Sequence, residues 1–256
     1  MRRLALAVLA LSPLLATAEE PKPAEWKGTL GAGLIVLSGN SDTTTFTGSA
    51  AASRETLGWI LSTKAAGAYG TSRPRGAPSQ VTALNGTAQL RLDRRLGPVW
   101  TVYALGGVDL DHVASLEDRL QGELGGSALW LDEKEGDWQR LSLRTDLGLR
   151  YAKEARYQYY GTPVGPLPSA EMLSPRLGLA FRYGFSKEVF ITEDAEVLPA
   201  VTGPSRVLVR SVSKLSSRLW RSVTVGVSYA VAYDSRPAAG MKDTDQTLTA
   251  VVEVGF

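Results

Sequence analysis

Ser222-Val223-Thr224-Val225-Gly226-Val227-Ser228-Tyr229-Ala230-Val231-Ala232-Tyr233-Asp234 is the stretch that decides the fold. Successive side chains of an extended chain point to opposite faces. One face therefore carries Val223, Val225, Val227, Tyr229, Val231 and Tyr233, and the other only small or polar groups. The same alternation sets Leu141, Leu143, Leu147, Leu149 and Tyr151 against Arg140, Ser142, Arg144, Asp146, Gly148 and Arg150. Arginine and aspartate facing a dry core would be costly. A wet interior and a lipid-facing exterior accommodate both faces of such a strand.

Working outward from these runs, the period-2 pattern predicts about twelve strands. They lie near residues 26–38, 44–54, 59–71, 81–94, 99–112, 118–132, 138–152, 174–186, 188–198, 205–215, 220–234 and 246–256. The fold class expected is all-β, a single-domain, up-and-down antiparallel transmembrane barrel. Connections after even strands are short (Glu55 to Gly58, Arg95 to Pro98, Glu133 to Asp137, Ser186 to Lys187, Ser216 to Leu219). Several after odd strands are longer and rich in Pro and Gly (Ser72 to Gln80, Glu154 to Leu173, Ser235 to Asp245). That asymmetry predicts short periplasmic turns, longer external loops and periplasmic termini. Glu193 breaks the alternation of its strand and is expected to mark a bulge or a shifted register.

The aromatic residues fit the same topology. Trp26, Trp59, Trp100, Trp138 and Trp220 each start an odd strand and Trp130 lies near the end of an even one, so all six tryptophans are expected at one membrane interface. Tyr69, Tyr151, Tyr229 and Tyr233 fall toward the opposite rim. The last strand alternates Leu248, Ala250, Val252, Val254 and Phe256 with Thr247, Thr249, Val251, Glu253 and Gly255, and its terminal Phe256 resembles the signal read by barrel-assembly machinery. The partners expected are that machinery during biogenesis and outer-membrane lipids afterwards.

Residues 1–18 have the parts of a cleavable signal peptide: Arg2 and Arg3, an apolar run from Leu4 to Leu15, then Ala16, Thr17 and Ala18. Cleavage is expected after Ala18, leaving 19–256 as the barrel. The leader's apolar run is shorter than the roughly 20 residues that cross a bilayer, and every later apolar run is interrupted within a few residues. Hydrophobic residues make up 44% and mean hydropathy is −0.06, values shared by soluble proteins and strand-spanning barrels alike. The net charge of +2 is carried by Arg2 and Arg3, so the exported chain is close to neutral and nucleic acid is not an expected partner. There is no cysteine, which excludes disulfides, thiolate metal sites and a Cys nucleophile.

Two segments carry a family resemblance. One is Ser38-Gly39-Asn40-Ser41-Asp42-Thr43-Thr44-Thr45; the other is Tyr233-Asp234-Ser235-Arg236-Pro237, followed by Gly240-Met241-Lys242-Asp243-Thr244-Asp245. Their order and spacing resemble the salt-induced outer-membrane protein family, grouped as domain of unknown function 481. The resemblance implies a bacterial outer-membrane barrel across essentially the whole exported chain, and it brings no activity, catalytic residue or ligand. Ala238 stands where a second Pro is frequent, and the loop from Glu154 to Leu173 is longer than usual. Physically, Gly39 and Asn40 suit a tight turn. The charges around Pro237 and Gly240 read as a solvated external loop, with too few regularly spaced carboxylates for calcium.

Chemistry-bearing motifs are sparse. The single histidine, His112, follows Asp109, Leu110 and Asp111 near a rim, with Ser115 three residues on. A lipid-modifying hydrolase would need a His-activated nucleophile, but no motif frames Ser115, and alternation puts Asp109 and Asp111 on the other face from His112. One His and no Cys make a poor zinc set. No catalytic residue, metal site or cofactor is expected. The inner face is the informative part: Lys64, Arg91, Asp93, Arg119, Glu123, Arg144, Asp146, Arg150, Arg182, Asp194, Glu196, Arg210 and Lys214 are expected to line the lumen. Such groups either select ions in a pore or close a narrow lumen by pairing, and about twelve strands is a size that decides neither. The function expected is a narrow, charge-lined barrel for small-solute passage, or an envelope role under osmotic stress that only the family name implies. The alternatives are a structural or interaction barrel acting through external loops with Tyr157, Tyr159 and Tyr160, and a hydrolase using His112.

Overall fold

The computed structural model describes residues 25–37, 41–160, 164–203, 205–237 and 241–256. The expected leader, and Ser38, Gly39, Asn40, Ala238 and Gly240 of the family segments, lie outside the described residues. Twelve antiparallel strands close into one barrel in which every strand pairs with its sequence neighbours and the first with the last. They are β1 (Trp26–Leu37), β2 (Ser41–Glu55), β3 (Trp59–Pro74), β4 (Gln80–Arg95), β5 (Trp100–Asp111) and β6 (Leu116–Glu135). The circuit continues through β7 (Trp138–Gln158), β8 (Gly165–Gly184), β9 (Val189–Pro199), β10 (Val207–Arg218), β11 (Val223–Asp234) and β12 (Thr244–Gly255). Closure satisfies every strand edge, which a sheet immersed in lipid requires.

The seam is made by β1 and β12, from Thr29 opposite Gly255 to Gly33 opposite Val251. Phe256 extends it by exchanging both backbone bonds with Gly28 at 3.0 Å. A Cβ on Gly28 would lie 2.4 Å from the Phe256 ring, so the glycine is the space that the terminal aromatic occupies.

The connections at the end holding both ends of the described chain (the turn end) are short, 136–137 being the tightest and Gly136 supplying its φ of 62°. The opposite end (the loop end) differs from the sequence expectation. The segment from Glu154 to Leu173 is mostly strand: β7 runs on to Gln158 and β8 begins at Gly165, so only 159–164 connect them. Gly165, Pro166 and Pro168 read as loop in one dimension. In the sheet, a bulge between Glu154 and Arg156 absorbs the irregularity, and Arg156 pairs with Leu167 and Tyr157 with Pro166. At the turn end, β10 extends to Arg218 and β11 starts only at Val223, so Trp220 sits in the turn before β11 and not at its first residue.

On the outer face stand Leu30, Leu34, Phe46, Tyr69, Leu90, Leu124, Leu147, Leu149, Leu177, Leu248, Val252 and Val254, all exposed. A belt of this kind around a closed barrel is stable against hydrocarbon and not against water.

Candidate functional site

The register places each expected lumen residue. Lys64 pairs with Gln89, Asp93 with Tyr103, Arg119 with Asp109, Glu123 with Arg150, Arg182 with Thr192, and Arg210 with Glu196, and each pair shares the inner face. Arg91, Arg144, Asp146, Asp194 and Lys214 have the same parity. What the pairing brings together is a packed ionic wall between β4 and β10.

At mid-height, Arg91, Arg144, Arg150 and Arg176 interleave with Asp93, Glu123, Asp146 and Glu196. Arg91 donates to both Asp93 oxygens (Nε, 3.1 and 3.0 Å) and through Nη1 to Asp146 (2.8 Å). Arg150 Nε donates to Glu123 (2.6 Å) and its Nη2 to Glu196 (3.1 Å). Arg176 Nε donates to Glu196 (2.6 Å), and its Nη1 reaches Glu123 and Asp146 at 3.3 Å each. The Tyr103 hydroxyl donates to Glu123, and the Arg91 guanidinium lies 3.8 Å over the Tyr103 ring. Gly125 and Gly148 make room for that ring, since a Cβ on either would come within 2.6 Å of its hydroxyl.

Nearer the loop end a second cluster centres on Glu154, whose side chain is fully buried. Its carboxylate accepts from Arg119 Nε (2.7 Å), Arg156 Nη2 (2.6 Å) and Arg206 Nη1 (2.8 Å). Arg206 also donates to Asp234 (Nε, 2.6 Å), and Arg210 donates to Asp109 at 3.1 Å, a link from β10 to β5 across the lumen. A residual cavity of about 10 Å³ remains between the clusters, next to Met172, Leu198 and Leu208. That is room for about one water.

The expected list missed Glu154, Arg156, Arg176 and Arg206, and left Asp109 and Asp234 out of the lumen. Glu154 continues the even parity of Asp146 and Arg150 two residues beyond the expected strand 138–152, and Arg176 lies inside the expected strand 174–186 with the parity of Arg182, so alternation would have found both. Arg206 lies inside the expected strand 205–215 with the parity of Arg210 and Lys214; in the structure it stands just before β10, and its ion pairs with Glu154 and Asp234 hold it inward.

The wall formed by β11, β12 and β1 to β3 is different. Its inner face carries Lys27, Lys64 and Glu253 and is otherwise mostly small, with Thr224, Gly226, Ser228, Ala230, Thr247, Thr249, Gly31, Gly33, Thr45, Thr47, Ser49, Ala51, Ser62, Ala66 and Ala68. Lys64 and Asp194 face each other across the remaining space at 4.0 Å with side chains 65% and 57% exposed, so water reaches between the two walls.

Glu193 corrects another expectation. No register shift occurs in β9, where Glu193 pairs with Phe181 and Ser213. Its side chain points outward, accepting from Ser211 Oγ at 2.6 Å and from Ser213 Oγ. Two serines on the neighbouring strand allow a carboxylate on the apolar face without a bulge.

Of the expected interface residues, Trp26, Trp59, Trp100, Trp130, Trp220 and Phe256 are exposed toward the turn end. Trp100 meets Trp130 edge-on at 5.8 Å, and Trp130 donates to Thr145 at 2.8 Å. Trp138 is set apart: it is half-buried, with its ring against the inner-face Gly184, where a Cβ would lie 2.4 Å from it. In the turns nearby, Lys187 lies 2.6 Å from Asp137 and holds its carboxyl below the usual range.

His112 stacks on Tyr159 with ring centroids 4.2 Å apart, and Tyr159 lies 4.7 Å from Tyr157. Ser115 is buried at a positive φ of 59°, and its link to His112 is a backbone bond from Ser115 N to His112 O of 3.2 Å. Among the described residues no side-chain hydrogen bond joins the hydroxyl to the imidazole.

With the barrel and its lumen described, the comparisons fall into place. The family whose profile is described as "Protein of unknown function, DUF481" matches residues 30–256. The chain belongs to this family. No curated protein matches it. Among solved structures, this DUF481 member is similar to the COG4313 outer membrane channel from Pseudomonas putida F1, with a TM-score of 0.51 and 10% identity over 96% of this chain and 100% of that one. It is also similar to the translocator domain of the autotransporter NalP from Neisseria meningitidis (TM-score 0.45, 14% identity, 90% and 86% covered) and to the KdgM porin (0.41, 12%, 91% and 98%). At such identities the likeness is one of fold. Closed architecture, apolar belt and polar interior together make the DUF481 chain an outer-membrane β-barrel.

Proposed function

We propose that this barrel is a narrow passage for small solutes, oriented with its turn end toward the periplasm. The observation that supports it is the unequal lumen. Guanidinium and carboxylate groups fill and tie one wall, while the opposite wall of Gly, Ala, Ser and Thr leaves a wet path at which Lys64 and Asp194 are more than half exposed. Barrels of about eight strands are filled by side chains and those of about sixteen hold an open channel; here one side of a twelve-strand lumen is filled and the other is not. The reading is non-enzymatic: His112 is stacked on Tyr159, and among the described residues no side-chain hydroxyl is hydrogen-bonded to its imidazole. It keeps the leader as a signal cleaved after Ala18, outer-membrane lipids against the belt, and assembly through the barrel machinery.

The refolded protein in planar bilayers is expected to give discrete current steps in KCl. Silence at all voltages and salt concentrations would overturn the passage reading. The orientation is tested separately, and the lack of native cysteine makes labelling clean. Val164→Cys should react with an impermeant maleimide on intact cells, and Leu57→Cys only after the outer membrane is opened; the reverse pattern inverts the topology.

A further inference from the structure

The charged wall is balanced at mid-height, where four guanidiniums interleave with four carboxylates. The turn end of the same lumen is not. There, Lys64 is opposite Asp194, Lys214 binds Glu253 at 2.8 Å, and the inner-face Asp132 accepts from Gln139 Nε2 at 3.0 Å. Four further cations, Lys27, Arg182, Arg218 and Arg221, have no carboxylate within ion-pair distance among the described residues. They come from β1, β8, β10 and the turn before β11, so they converge on the opening from opposite sides.

Arg182 is held in place without an acid. Its guanidinium lies 3.7 Å over the ring of Phe190, a contact that fixes its plane and leaves its charge uncompensated. Its Nε is buried and unbonded, and so is the Oγ of Ser216, the residue paired with Phe190 on the inner face. Both atoms are closed to solvent, so it is the rest of the half-buried guanidinium that carries the charge toward the lumen. Toward the same end of the barrel, on the side of β1 to β3, a cavity of about 550 Å³ is lined by Lys27, Thr29, Ser53, Ser62, Lys64 and Arg221. That volume suits a small organic ligand, and hydroxyls among cations suit one with several anionic oxygens.

We infer that the turn end of the lumen is an anion-binding chamber for a small solute bearing two or more carboxylate or phosphate groups. Arg182, Arg218, Lys27 and Arg221 supply the charge, and Thr29, Ser53 and Ser62 the neutral donors. The inference deepens the passage reading by naming the charge of the solute, and it rests on that reading only for the transport of what binds.

The test is calorimetric titration of the folded, full-length barrel in detergent with citrate and, separately, inorganic phosphate. Saturable binding at one site is expected, weakened about fivefold or more by Arg182→Gln or Arg218→Gln. Arg182→Lys should recover part of the loss, and Lys187→Gln, which removes an exposed turn ammonium already paired with Asp137, should cause none. If Arg182→Gln fails to fold by heat-modifiable gel migration, Arg221→Gln, in an exposed turn, takes its place. Absence of binding by both anions, or an equal loss in Lys187→Gln, overturns the chamber. Conductance of the same preparation separates the two readings. A barrel that binds citrate and passes no current keeps the chamber and ends the passage; one that conducts without binding either anion and without anion preference does the opposite.

Discussion

Between β4 and β10 the inner face is a packed core made of guanidinium and carboxylate groups, whereas from β11 through β12 to β3 it is mostly a lining of glycine, alanine, serine and threonine. Both walls obey the same alternation and face the same lumen. They differ in what their side chains reach. On the first, arginines are long enough to meet acids two or more strands away, as Arg91 meets Asp146 and Arg210 meets Asp109. On the second, only Lys64 and Glu253, which meets Lys214 across β11, reach beyond a neighbouring strand, and the space stays open. Charge inside this barrel therefore serves as filling where it is paired; the passage proposed above would run along the side poorer in charge.

Three changes sharpen or break that contrast. The largest effect is expected for Glu154→Leu, which strands Arg119, Arg156 and Arg206 in a buried cluster. Removing one partner of a buried ion pair costs about 3–5 kcal/mol, so the urea midpoint in lipid vesicles should fall sharply or folding should fail. A loss below about 1 kcal/mol, the scale of exposed ion pairs, would mean that the charged wall is not structural. Next is Ala51→Phe, on the open wall opposite Thr29 and Lys64. It should leave stability nearly unchanged and cut single-channel conductance severalfold; an unchanged conductance would move the water route elsewhere. The smallest is Glu193→Leu, on the outside of the charged wall. A carboxylate on the lipid face destabilises by less than the roughly 2–4 kcal/mol of a midplane Arg or Lys, and two serine hydroxyls reduce that further. The urea midpoint should rise slightly. A clear fall would show that the outer face of β9 and β10 meets a polar partner rather than lipid.

Most of the barrel was legible in the sequence because alternation is a local property that needs no knowledge of neighbours. Val223 to Tyr233 and Leu141 to Tyr151 announce two faces, and the same rule puts Arg144, Asp146 and Arg150 inside. The rule failed where a strand continues through residues that usually end one. Gly165, Pro166 and Pro168 concealed the top of β8, and with it the burial of Glu154, because what keeps that hairpin extended is a ladder to β7 and three arginines drawn from distant segments. Glu193 was misread for the opposite reason: the broken alternation is real, and the hydroxyls that accommodate it belong to β10.

The sequence by itself determined a closed antiparallel barrel of about this size, the identity of its two faces and the end at which most of its aromatic residues gather, since each follows from spacing along one chain. Only the tertiary structure decided which charges neutralise one another, which cations at the turn end are left over, and that one half of the lumen is filled while the other is wet. Those facts depend on distances across the barrel, set by strand order and register, and a Coulomb interaction depends on separation in space rather than on separation in sequence.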